Sequence, residues 1–404
     1  MKIKTITFSI IFCILISSIS FATDSVYVWS NNTASNTLQT VSNVEDNNSL
    51  NLESGAAILI EQTTGKILYS HNSHEKLRPA SVTKVMSILL IMEALDSGKI
   101  TMETQIPCSE NAHSMGGSQI WLDTTETLTV KDMLKSICVV SANDCTVAMA
   151  EYIAGSEEAF VQMMNTKAKQ LGMNDTTFKN CHGIDEEGHV TSAYDISLMS
   201  RELLQNHPII TEFTTIWMDS IRDGKSELVN TNKLIRNYQG ATGLKTGSTS
   251  IALYNLSASA TRDGLSLIAV IMKAPTTKIR FSEATKLLDY GFANYTSKSF
   301  GNKGEIIKTV DVNKGIERQV NAVLEEDASV LIKKGDTGNI TQNVVINENI
   351  SAPIKQGDVL GKIEYKAEDK VILEKNLVAE KDIDKSTMWN ITTNLYLKWF
   401  NMCR

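Results

Sequence analysis

The feature that constrains this chain most is a change of hydrophobic period that occurs twice. AAILIEQTTGKILYS, from Ala56 to Ser70, alternates and carries Thr63-Thr64-Gly65 in its middle, the pattern of a β-hairpin. Residues 130 to 206 read as mostly helical. Ser156-Glu157-Glu158 supplies a helix start with acids in its first turn, and Leu171-Gly172 a stop. After Gly240 the strand period returns: LYNLSASATRDGLSLIAVIMKA gives two strands joined at Arg262-Asp263-Gly264, and helical residues 281 to 290 follow. Strand segments therefore flank a helical middle. The expectation is an α+β domain whose sheet is built from both ends of the chain.

Beyond about Ser297 come short alternating runs with polar turns: EIIKTVDV, ASVLIKKGD, NVVINENI, GDVLGKIEY and KVILEKNLVAE. They predict a small C-terminal all-β domain. A chain of 404 residues, 42% hydrophobic and 21% charged, is long enough for both domains. The net charge of −7, with no block of Lys and Arg, excludes nucleic acid as an expected partner.

Both ends differ from the middle. Lys2 and Lys4 precede an apolar stretch from about Ile6 to Ile19, and Ser20-Phe21-Ala22 places small residues at −3 and −1 for cleavage after Ala22. This predicts a secretory signal peptide over 1–22 and an exported protein; the rival reading, an uncleaved membrane anchor, meets a stretch short for a span. Residues 23–53 are rich in Asn, Ser and Thr and read as a flexible leader. The α+β domain is expected over 54–296 and the β domain over 297–384. In 385–404, Met388, Ile391, Leu395, Trp399 and Met402 share a helical face, with Trp389, Tyr396 and Phe400 alongside. That composition predicts an amphipathic helix lying on a membrane surface, with a helix docked on the β domain as the other reading. Once Cys13 leaves with the signal, Cys108, Cys138, Cys145, Cys181 and Cys403 remain. An odd number without a C-x-x-C pair reads as buried free thiols, not a disulfide framework or a zinc site.

The chemistry is concentrated in RPASVTKVMSILLIMEAL, residues 78 to 95. Pro79 stands where a helix start tolerates it, and Val82, Val85, Ile88, Leu89, Met92 and Leu95 recur at helical spacing as one buried face. Ser81 and Lys84 lie three apart at the start of that run. A serine hydroxyl needs a base to take its proton, and a lysine serves only if desolvation or a nearby cation lowers its pKa. On a helix the two side chains can touch, and the helix N-terminus favours a developing oxyanion.

S-x-x-K alone occurs by chance about once in a chain this long. It recurs here at Ser73-His74-Glu75-Lys76, with nothing helical or apolar after it. Two further stretches add weight: Ser141-Ala142-Asn143 before an apolar helix, and Lys245-Thr246-Gly247 entering a strand. The three together, in that order, form the signature of penicillin-interacting serine enzymes. On these motifs, on SANDCTVAMAEYIAGSEEAF, on FKNCHGIDEEGHVTSAYDISLMSREL and on KTGSTS with its hairpin, the chain resembles the D-alanyl-D-alanine carboxypeptidases, the low-molecular-weight penicillin-binding proteins of bacterial cell walls. The resemblance spans about residues 54 to 385, plus the tail.

The resemblance implies a fold of the β-lactamase and penicillin-binding-protein type, an antiparallel sheet with a helical subdomain. It implies that Ser81 is acylated by the terminal D-Ala-D-Ala of a peptidoglycan stem peptide, with Lys84 as general base and Ser141 as proton relay. Asn143 would hydrogen-bond the substrate backbone or position Lys84. Lys245 and Thr246 would receive the terminal carboxylate. Gly247 would let the substrate approach the strand edge, and backbone N–H groups of Ser81 and Ser248 would form the oxyanion hole. Arg280 falls where the family often has an arginine near that carboxylate; the other reading is a surface ion pair. β-Lactam antibiotics would be covalent inhibitors, and the enzyme would work at the outer face of the cytoplasmic membrane without metal or cofactor.

A serine β-lactamase would share fold and motifs, but the glutamate setting of class A enzymes has no match between Asn143 and Lys245. A silent wall-binding scaffold is the reading from another class; the full set of reactive side chains argues against it. HGIDEEGH, with His182 and His189, lacks metal-helix spacing and reads as a loop. Trp121 reads as core or loop packing in preference to a substrate platform, and Cys145 as packing in preference to a redox role.

Overall fold

The computed structural model describes residues 50–335, 340–367, 370–389 and Thr392. The expected signal peptide, nearly all of the leader, most of the tail helix, and Cys13 and Cys403 lie outside the described residues. Among the described residues no helix is long and apolar enough to cross a membrane.

The chain runs β1 (Ala56–Glu61), β2 (Ile67–His71), α1 (Lys84–Asp96), β3 (Gln105–Pro107), α2 (Glu110–His113), β4 (Thr127–Thr129), α3 (Val130–Val139), α4 (Asn143–Ala154), α5 (Glu157–Gln170) and α6 (Ala193–Asn206). It continues through α7 (Thr211–Thr214), β5 (Met218–Ile221), β6 (Ser226–Val229), α8 (Leu234–Asn237), β7 (Ala241–Thr249), β8 (Leu253–Arg262), β9 (Leu265–Ala274) and α9 (Thr277–Asn294). The main sheet is antiparallel in the order β2-β1-β9-β8-β7, with Ala56 opposite Met272. Both ends of the domain thus supply one sheet, as the period changes require. The two-stranded sheet β3–β4 and the hairpin β5–β6 have no counterpart in the sequence reading.

Both faces of this sheet are covered. Ala56, Ile58 and Ile60, with Ile268, Val270 and Met272, pack into the helical cluster. Ala57, Leu59, Leu267, Ala269 and Ile271 pack against Ala284, Leu287 and Leu288 of α9. All six residues of β1 are buried in consequence, so its alternation is weaker than a one-sided strand would show. The Glu61 carboxylate is kept at the strand end by the amides of Thr63 and Thr64 in the hairpin turn.

α1 departs from the expected single stripe. Every residue from Lys84 to Met92 is buried, because the helix runs through the core with neighbours all round. The end of the expected leader also differs. Leu50 and Leu52 pack on the cluster that α9 closes, and the Glu283 carboxylate accepts the amides of Glu53 and Ser54 and the Ser54 hydroxyl. Ser156 caps α5 by accepting the Ala159 amide, as its position predicts.

After α9 follow β10 (Tyr295–Gly301), β11 (Ile306–Asp311), β12 (Gln319–Leu324), β13 (Ala328–Lys333), β14 (Ile340–Ile346), β15 (Val359–Ala367) and β16 (Lys370–Ala379). β10 pairs with β13, and the others form an antiparallel sheet ordered β11-β12-β16-β15-β14 around Val320, Ala322, Ile363, Tyr365 and Leu377. β10 and β12 escape a reading by alternation. YTSKSFG is mostly polar, and in QVNAVL the apolar Val323 breaks the inward series Val320, Ala322, Leu324. Past β16, Ser386 donates its amide to Lys314.

Candidate active site

Ser81 stands in a single 3-10 turn, Ala80–Thr83, that leads directly into α1. The turn puts Ser81 at a partly exposed position and Lys84 wholly inside. Lys84 Nζ lies 3.1 Å from Ser81 Oγ, 2.6 Å from Asn143 Oδ1 and 2.7 Å from the His182 carbonyl. Burial, and then the charge of Lys245, hold the Lys84 ammonium well below the usual lysine range. Two of its three neighbours, an amide oxygen and a carbonyl, can only accept. A neutral amine satisfies both with its two N–H bonds and leaves its lone pair for the Ser81 hydroxyl.

Asn143 opens α4 and is fixed at both ends of its amide. Its Nδ2 donates to Gly116 O at 2.7 Å while Oδ1 receives Lys84. Of the two roles open for Asn143, holding Lys84 is the one this geometry performs. Ser141, two residues earlier, has φ +66 and a buried hydroxyl with no hydrogen-bond partner among the described residues. A serine in the left-handed region is uncommon, and such positions persist where their surroundings impose them.

β7 forms the opposite wall. Lys245 is buried, with Nζ 2.9 Å from Thr246 O. Burial and the nearby Arg280 charge push it down to about 7. Thr246 Oγ1 shares a 2.7 Å hydrogen bond with Thr231 Oγ1. Gly247 is required by the protein's own backbone: a Cβ there would stand 2.8 Å from Pro79 O and Val82 N and 2.9 Å from Ser81 N. Beside the expected reason, room for substrate, stands a contact between β7 and the turn that carries Ser81. That contact brings Ser81 N beside β7, one residue from the exposed Ser248.

Arg280 reaches the same wall from the first turn of α9. It is 6% exposed, donates through Nη1 to Gly247 O and Asn255 O at 3.2 Å each, and lies between the rings of Tyr254 and Phe281. The alternative of a surface ion pair is thereby replaced by a buried guanidinium whose Nε has no partner among the described residues. Burial lowers it to about 10. Lys245 and Arg280 thus meet at β7 with no carboxylate hydrogen-bonded to either among the described residues, a field that attracts an anion.

The HGIDEEGH loop contributes more than its sequence reading gave it. His182 supplies the carbonyl that holds Lys84. Gly183, with φ +90, abuts the nucleophile turn so closely that a Cβ would fall 2.0 Å from Ala80 O. His189 accepts the Lys179 amide at Nδ1, which leaves Nε2–H to donate to Thr83 Oγ1 at 2.8 Å. Burial keeps both imidazoles neutral, His182 at about 3 and His189 at about 4. Cys108, Cys138, Cys145 and Cys181 are free and buried; burial raises the Cys145 thiol well above its ordinary value. Trp121 is not packed: it is 76% exposed.

Residues 40–276 match the D-alanyl-D-alanine carboxypeptidase family, and residues 295–385 match the C-terminal domain of penicillin-binding protein 5. The chain is 46% identical over 338 residues to D-alanyl-D-alanine carboxypeptidase DacF of Bacillus subtilis, covering 83% of this chain and 87% of that protein. Among solved structures it resembles penicillin binding protein 5 of Haemophilus influenzae, with TM-score 0.67, 31% identity, 83% of this chain and 98% of that one. It also resembles penicillin-binding protein D2 of Listeria monocytogenes, solved in an ampicillin-bound form, with TM-score 0.55, 30% identity, 60% of this chain and 98% of that one. This chain belongs to the D-alanyl-D-alanine carboxypeptidase family.

Proposed function

We propose that this protein is a serine-type D-Ala-D-Ala carboxypeptidase that removes the terminal D-alanine from peptidoglycan stem pentapeptides and is acylated by penicillins. The observation that carries the reading is the buried Lys84 amine, 3.1 Å from Ser81 Oγ and held by two acceptors. Lys84 takes the Ser81 proton as Oγ attacks the carbonyl of the penultimate D-alanine. The N–H groups of Ser81 and Ser248 receive the oxyanion. Ser141, whose hydroxyl is otherwise unpartnered, passes the proton to the leaving amine. Lys245, Thr246 and Arg280 bind the terminal carboxylate, which raises the Lys245 pKa again by supplying the missing counter-charge. Water then hydrolyses the acyl-enzyme.

In this reading 54–296 is the catalytic domain and 297–384 the β domain. Residues 1–22 export the chain, and 385–404 rest on the outer face of the cytoplasmic membrane. The apolar stretch at one end and the aromatic-rich helical pattern at the other support that placement.

The test uses protein lacking 1–22 and 386–404, incubated with diacetyl-L-Lys-D-Ala-D-Ala. Penicillin-sensitive release of D-alanine is expected. Rapid turnover of penicillin with no D-alanine would instead make the protein a β-lactamase. Sedimentation with membranes after loss of 386–404 would remove the tail as anchor.

A further inference from the structure

Trp121, 76% exposed, is the most exposed large hydrophobic side chain among the described residues of the catalytic domain, yet its surroundings hold it tightly. Its φ of +56 lies in the left-handed region, which bulky residues avoid. The amides on either side, Ile120 N and Leu122 N, both donate to the buried Asp144 carboxylate, at 3.0 and 3.1 Å. Arg222, at the tip of the β5–β6 hairpin, donates to Ile120 O at 2.9 Å and Trp121 O at 3.4 Å, and its guanidinium is clamped by Glu126. With the Gln119 amide turned to donate to Met115 O, its oxygen accepts the indole N–H at 3.3 Å. An exposed ring with an anchored edge and a strained backbone has no packing reason to exist. Strain of this kind marks places where function fixes a conformation.

The position of the loop says what the ring would meet. Ser118 O accepts the amide of Asn143, and Asp144 follows Asn143 directly, so Trp121 lies next to the residue that holds Lys84. The anion-binding cations Lys245 and Arg280 lie on the other wall. In the carboxypeptidase reading the carboxylate sits on that wall and the scissile carbonyl at Ser81, which would direct the N-terminal part of the peptide toward the Asn143 side. At about 3.5 Å per residue, the first residue to emerge there is the one preceding D-Ala-D-Ala.

Resting on the carboxypeptidase reading, we propose that Trp121 is a specificity residue: its indole face supports the aliphatic side chain of the residue immediately N-terminal to D-Ala-D-Ala. An indole offers a large, rigid apolar face at low entropic cost. The experiment compares wild type with Trp121→Asn, which accepts the left-handed backbone but removes the ring, and with Trp121→Phe. The substrates are diacetyl-L-Lys-D-Ala-D-Ala and acetyl-Gly-D-Ala-D-Ala. In W121N, kcat/KM for the lysyl peptide should fall about tenfold and for the glycyl peptide less than about twofold, with W121F keeping most of the preference. Equal losses on both peptides, or no loss on either, would overturn the proposal and leave the carboxypeptidase reading intact. No D-alanine release by wild type from either peptide would overturn both.

Discussion

Two S-x-x-K quartets lie eight residues apart in this chain, and only one is built as an active site. In Ser73-His74-Glu75-Lys76 the serine is buried, its hydroxyl accepts from Ser70 at 2.9 Å, and Lys76 is exposed to water. In Ser81-Val82-Thr83-Lys84 the exposures are reversed: serine toward solvent, lysine fully inside. The spacing is the same and the chemistry is not. A lysine in water keeps its proton at neutral pH, whereas one desolvated beside a second cation gives it up. What separates the quartets is the layer around them: a 3-10 turn that points Ser81 outward, α1 buried on every side, and acceptors on two other segments that fix the amine.

That contrast can be broken most sharply at the serines. Ser81→Ala should reduce D-alanine release by roughly 10⁴-fold or more and abolish covalent labelling by penicillin, while Ser73→Ala should leave both near wild type. Labelling that persists in S81A would transfer the nucleophile elsewhere. Lys84→Met should cost about 10²- to 10⁴-fold in kcat, and Lys76→Met little, measured by steady-state kinetics. The sign of the pH dependence follows from the same lysine. Lys84 acts neutral, so the acylation rate should rise as pH climbs through its lowered pKa. Because Lys245 helps depress that pKa, Lys245→Gln should move the rising limb of penicillin acylation to higher pH; an unmoved limb would deny the coupling. Asn143→Ala should lower kcat about 10- to 100-fold by freeing the amine, with a smaller change in KM. Gly247→Ala should destabilise the fold by about 1–3 kcal/mol in a urea titration, because the new methyl meets backbone atoms of the nucleophile turn.

The contrast also explains what could be read from the sequence. The sheet was legible because two strand regions bracket a helical middle, and the three motifs were legible because each sits at the start of an element or in a strand. The second reason for Gly247 was missed, since a one-dimensional pattern does not say which backbone approaches a glycine. His182 was invisible as a contributor because it acts through its carbonyl, which every residue owns. Trp121 read as packing because aromatic residues usually are; only the φ of +56 and the Arg222 clamp separate it from that majority. α1 was taken for a one-sided helix, yet Lys84 and Ser87, which would mark a polar face in its first turn, are buried on the His182 and Cys181 carbonyls.

Gly247 and Gly183 press backbone directly against the nucleophile turn from two sides. With no side chain between these segments, there is nothing that substitution could shorten, lengthen or re-angle to reshape the heart of the groove by degrees. A side chain at either glycine would move the turn that carries Ser81 as a whole, so retuning of the groove falls to the side chains around that turn.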